Sequence, residues 1–254
     1  MSTLILALAA GAVIGLALGA LGGGGSVLAV PALIYLLGFT PAAATTASLI
    51  IVTATSATAL YTHATSGNVR WKTGALFAAA GIPPALAAAT LATRVPEPVL
   101  TAAFAATAGL AAWRMFAAPA PDPDPAPGQQ PRPVRPARAA GAGAGLGSIT
   151  GFLGVGGGFL AVPALVSVLG LRMRAAVGTS LLVITVNSLA ALAARTGTHT
   201  PLHWAVIAPF TGAAVLGAWD GKRLAAKISG PALQRTFAAV LLAVAALMLT
   251  DALH

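Results

Sequence analysis

The chain has no cysteine among its 254 residues, and only 7% of them are charged. The first absence excludes disulfides and thiolate metal sites and leaves the redox compartment unassigned. The second excludes a soluble fold, because soluble domains carry roughly 25% charged residues. Acids are scarcer still: Glu97, Asp122, Asp124, Asp220 and Asp251 are all of them, and each falls in a loop or at the end of an apolar run. No carboxylate is therefore left inside an apolar run. Catalytic signatures are missing too. There is no H-E-x-x-H or G-x-S-x-G motif, His63 is the one candidate base within an apolar segment, and no Lys-Ser/Thr follows a glycine run to make a phosphate loop. An intramembrane enzyme is accordingly disfavoured, and no metal or cofactor is expected.

What is present is apolar. Hydrophobic residues make up 57% of the chain, and the mean hydropathy is +0.89. No acidic or basic side chain occurs before Arg70. Further uncharged runs occupy Thr73 to Thr93, Pro98 to Trp113, Ala139 to Leu171, Ala175 to Ala194, Thr196 to Trp219 and Thr236 to Thr250. Several match the roughly 20 residues that cross a hydrocarbon core. The expected fold class is an all-α integral membrane protein with about eight hydropathy segments. The net charge of +9 then reads as positive-inside loop bias rather than a nucleic-acid surface.

One unit is used twice. GALGGGGSVLAVPALIYLLG from Gly19 to Gly38 returns as GFLGVGGGFLAVPALVSVLG from Gly151 to Gly170, which puts Pro31 and Pro163 132 residues apart. The register holds from Gly11/Gly143 to Ser48/Ser180 and Ser56/Ser188. The halves are residues 1–116 and 139–254, joined by a proline-rich linker at 117–138. Alternate prolines keep that linker extended, and Arg132, Arg135 and Arg138 place it in the cytoplasm.

From that anchor each half walks out as three spanning helices plus a glycine-broken re-entrant hairpin. The limbs after the glycines, Val27 to Leu37 and Phe159 to Leu169, are too short to span at 1.5 Å per residue. An odd number of crossings makes the halves inverted repeats, with both termini external in a multi-pass inner (plasma) membrane protein. A basic loop holding Lys222, Arg223 and Lys227 is placed inside. The N-terminal apolar segment resembles a signal-peptide core but lacks a basic start, and its match within half two marks it as retained.

Inverted halves bring equivalent helix breaks together from opposite faces. Half-helix N-termini present N–H groups and about half a positive charge, which suits an anion. The expected binding residues are Gly24, Gly25 and Ser26 in half one and Gly156, Gly157 and Gly158 in half two. Hydroxyls of the following helices supplement them: Thr45, Thr46 and Ser48, then Thr179 and Ser180, with Thr53, Ser56, Thr185, Asn187 and Ser188 further along. Against this, glycines in membrane helices commonly serve close packing, and Ser or Thr commonly bond their own helix carbonyls. His63 and Arg195 correspond at the same step and are gate candidates at opposite mouths, or interfacial snorkelling residues. Asp220 beside Lys222 and Arg223 reads as an interfacial ion pair.

The glycine-rich break with its downstream proline in both halves, followed in half one by His63-Ala-Thr-Ser-Gly67-Asn68-Val69-Arg70-Trp71, resembles the TauE/SafE family of sulfite and organosulfonate exporters. Half two departs from that pattern, keeping Gly197 and Trp204 but not Asn-Val. The resemblance covers nearly the whole chain outside the linker. It implies a plasma-membrane secondary transporter exporting small anions, commonly sulfur-containing ones such as sulfite or sulfoacetate. The partners are then a small anionic substrate and the lipid bilayer, without nucleic acid, with a homodimer left open. An anion channel would use the same breaks and hydroxyls without two gates.

Overall fold

The computed structural model describes residues 2–92, 95–117, 134–153, 158–194 and 203–252. Ten α-helices and no strand occur among them: α1 Ser2–Leu21, α2 Gly24–Pro31, α3 Pro41–Ala64, α4 Trp71–Ala92, α5 Glu97–Ala117, α6 Pro136–Leu153, α7 Gly158–Ser167, α8 Met173–Ala194, α9 Trp204–Lys227 and α10 Gly230–Ala252. A π-helical turn, Ala32–Leu36, prolongs α2 directly after Pro31, whose missing N–H removes one bond of the ladder. The 132-residue step carries α1 through α5 onto α6 through α10 in the same order.

Four described segments are long and apolar enough to cross a membrane: Thr3–Leu21, Ala43–Ala64, Trp71–Leu91 and Met173–Ala193. The chain is a multi-pass membrane protein. All four tryptophans, Trp71, Trp113, Trp204 and Trp219, are exposed, as suits rings standing in the bilayer interface.

Three differences from the sequence expectation matter. The first limb of the half-one hairpin is itself of spanning length, because nothing interrupts the Ala/Leu/Gly run until Gly22 turns to φ +74°. The break there is only Gly22 and Gly23; Gly24, Gly25 and Ser26 already form the first turn of α2. Finally, Lys222, Arg223 and Lys227 are not in a loop, since α9 continues through them to Lys227.

The helices meet through glycine. Gly11, Gly15 and Gly19 of α1 lie against the backbone carbonyls of Phe210, Ala214 and Ala218 of α9. Gly143, Gly147 and Gly151 of α6 lie in the same manner against Phe77, Gly81 and Ala85 of α4. A side chain at any of the six would collide with main chain, and their absence lets the backbones touch. Both runs of contacts ascend together, so α1 is parallel to α9 and α6 to α4. The equivalent pair α3 and α8 is antiparallel: Gly178 faces Asn68 just beyond α3, while Thr185 faces Ser56 further back. Gln234 of α10 bonds the Met115 carbonyl near the end of α5, so these two are antiparallel as well.

These directions sort the charges. Eleven of the fourteen Lys and Arg residues are described. They stand at the bundle end that holds the close of α1, α3, α5 and α9 and the start of α4, α6, α8 and α10. Arg94, Arg132 and Arg195 lie outside the described residues. At the opposite end, Phe39 before α3 meets His203 before α9 edge to face, with ring centroids 5.8 Å apart.

Candidate functional site

The half-one break is built into half two. Gly22, reached by a Gly22 N–H bond to the Leu18 carbonyl at 2.9 Å, packs on the Ser180 hydroxyl, on Val162 of α7 and on Val177 of α8. Helices α2 and α7 also touch each other directly. The start of α2 is therefore brought to the broken limb and the hydroxyl-bearing helix of the other half. Gly158 opens α7 and is buried. Gly156, Gly157 and Arg195, also expected at the site, lie outside the described residues.

Both short limbs close in one way. Gly38 and Gly170 adopt φ +69° and +66°, and their N–H groups bond Ile34 and Val166 carbonyls at 3.1 Å in each case. The next residues, Phe39 and Leu171, bond Leu33 and Leu165 at 3.0 and 2.9 Å. Only glycine adopts that left-handed backbone without strain, which is why the pair recurs at the repeat spacing. In half one, Thr40 then caps α3 by accepting the Ala43 N–H at 3.4 Å, with Pro41 opening the helix.

The hydroxyls are placed as a repeat and used as a repeat. Ser48 donates to the Thr45 carbonyl and Ser180 to the Val177 carbonyl, both at 2.8 Å. Both serines are buried, as are Thr46 and Thr179. Thr53 donates to Leu49 at 2.6 Å and Thr185 to Leu181 at 2.7 Å. These hydrogens serve their own helices. An incoming oxyanion would draw a serine away from a neutral carbonyl, because a charged acceptor makes the stronger bond. Thr179 acts between segments instead. Its Oγ1 accepts the Arg70 N–H at 3.1 Å, which pins the 65–70 loop to α8. Where α3 and α8 cross, Thr185 Oγ1 stands 2.9 Å from Ser56 Oγ. Asn187 Oδ1 is buried without a donor.

His63 is not at an open mouth. It is 4% exposed, its Nε2 lies 3.1 Å from the Gly19 carbonyl of α1, and its Nδ1 is buried without a partner. Beside it, Lys222 of α9 donates to the Thr62 carbonyl at 2.5 Å. Lys222 falls outside the span expected from the sequence, because the uncharged run ends at Trp219 and a first charge normally marks the end of a span. The small residues Gly217 and Gly221, four apart and both seated on α1, were the signal that the helix runs on. Asp220 forms the expected exposed pair with Arg223 at 3.2 Å.

A separate cavity of about 450 Å³ opens between α1 and α2, lined by apolar side chains from Leu6 to Ile14 and by Leu28, Pro31 and Leu36. It contains none of the expected anion ligands.

The family described as "Sulfite exporter TauE/SafE" matches residues 7–248 of the chain. A "Probable membrane transporter protein" of Xylella fastidiosa strain 9a5c is 31% identical over 246 residues, covering 96% of this chain and 94% of its own length. The protein of the same name in strain Temecula1 is 29% identical with the same coverage.

Proposed function

The chain belongs to the sulfite exporter TauE/SafE family, and we propose that this membrane transporter exports small anions, sulfite and sulfoacetate first among them, by alternating access between two inverted halves. The inversion is supported above all by the antiparallel run of the equivalent helices α3 and α8. The exchange-related pairings of α1 with α9 and α6 with α4 agree with it. Under the positive-inside rule, the end that gathers the described Lys and Arg residues is the cytoplasmic one in the plasma membrane.

In this reading the anion binds where α2 and α7 meet. Its ligands are the first-turn N–H groups of Gly24, Gly25 and Ser26, their half-two counterparts at Gly156, Gly157 and Gly158, and the Ser48 and Ser180 hydroxyls. The partial positive charge at each helix start favours a negative ligand. An inside-negative potential expels a monovalent anion with roughly 2.3 kcal/mol per 100 mV, so export needs no coupled ion. Purified protein in liposomes, loaded with labelled sulfite or sulfoacetate at set potentials, tests this. Efflux should rise with outward driving force, and flux indifferent to voltage refutes the mechanism.

A further inference from the structure

The two halves differ at a half-buried charge. Lys222, near the cation-rich end of α9, is half-buried and ties α9 to α3 through the Thr62 carbonyl. Its counterpart at the repeat spacing is Thr90, and that of Thr62 is Ala194, so half one has no ammonium in this position. Among the described residues Lys222 has no carboxylate partner; the nearby Asp220 is held by Arg223. The adjoining His63 ring ties α3 to the Gly19 carbonyl of α1. Three helices are thus joined at this end by two contacts to main-chain carbonyls, one of them made by an unneutralised cation.

We propose that Lys222 receives the anion at the cation-rich end, giving up the Thr62 carbonyl for it and thereby releasing α9 from α3. This rests on the export reading above and names the residue that gives that export its sidedness. A neutral carbonyl is a weaker acceptor for an ammonium than an anion is, because the anion adds the attraction of a full opposite charge. The exchange is therefore favourable only when an anion is present, which makes the contact a latch that the cargo opens. A ligand shifts such an equilibrium only through its preference for one state. Here the preference comes from the ammonium, which is occupied in the closed state and available in the open one.

Two measurements test this on the full-length protein. In the first, labelled sulfite flux is followed separately from each face of uniformly oriented proteoliposomes. Lys222→Gln should raise the half-saturating concentration at the cation-rich face about tenfold and leave the other face within twofold, while Lys222→Arg stays near the original value. Equal shifts at both faces, or none, overturn the proposal. If the unsubstituted protein moves no sulfite, the export reading fails, and the second measurement decides the latch alone. Because the chain has no cysteine, a Tyr61→Cys/Trp219→Cys pair reports on α3 and α9, whose rings stack there with centroids 6.4 Å apart. Sulfite, sulfate or acetate should lower cross-linking of that pair severalfold, and the response should vanish with Lys222→Gln. A yield that none of the three anions changes overturns the proposal. Should Lys222→Gln not fold, Lys222→Arg with an unchanged response and Lys222→Met with none carry the same decision.

Discussion

Half one lays Gly11, Gly15 and Gly19 on α9, and half two lays Gly143, Gly147 and Gly151 on α4. Their short limbs end in the same glycine turn, and their first buried serines bond the same relative carbonyl. In these two stripes the halves have kept the same glycines, whereas Gly178, Gly217 and Gly221, which also meet main chain, answer to Thr46, Ala85 and Ala89. Where they differ is in charge and in what the loops are tied to. Half one has His63 facing α1, with Lys222 of half two beside it; half two has Thr179 holding the 65–70 loop, against Ala47 at the equivalent place. The six shared stripe glycines serve assembly, because a Cβ at any of them meets main chain. Unshared positions are where the two halves can act differently.

That division can be broken or sharpened by substitution, with stability followed by thermal unfolding in detergent. The largest effects belong to the shared contacts. Gly15→Ala and Gly147→Ala should each cost about 2–3 kcal/mol or more, since backbone rather than a flexible side chain must yield. Gly145→Ala on α6, where nothing lies within 4 Å, should instead stabilise by about 0.5–1 kcal/mol. Unequal losses at positions 15 and 147 would break the equivalence of the halves. Next comes the unshared Thr179→Ala, which leaves the Arg70 N–H without its acceptor and should cost about 2 kcal/mol, with hydrogen exchange at Arg70 rising alongside. Gly38→Ala and Gly170→Ala should cost about 1 kcal/mol each through left-handed backbone strain, and they should match. The smallest effect is expected of Ser56→Ala at the α3/α8 crossing, about 0.6 kcal/mol, typical of one hydroxyl contact between membrane helices.

Much of the architecture was legible from residues alone. The uncharged runs gave the helices to within a few residues, except where a span continues past its first charge, as α9 does. The glycine runs marked the short limbs, though the break in half one proved two residues wide and the helix before it full length. The four-residue spacing of Gly11, Gly15 and Gly19 permits a packing stripe, but only coordinates show that they pack and on what. For the candidate site, the sequence named the hydroxyls without their directions. A Ser or Thr in a helix has its own carbonyl within reach at all times, so only the folded rotamer shows that Ser48 and Ser180 use theirs while Thr179 accepts from another segment.

The sequence by itself determined that this chain lives in a bilayer and is built from one unit used twice, because composition and a fixed repeat spacing are properties of the linear chain. Only the tertiary structure decided that α3 and α8 run in opposite directions, that His63 is buried against α1 and that Lys222 reaches Thr62. Those outcomes depend on which backbones approach closely enough to touch, and pairing between segments more than a hundred residues apart is set by shape in three dimensions rather than by local residue order.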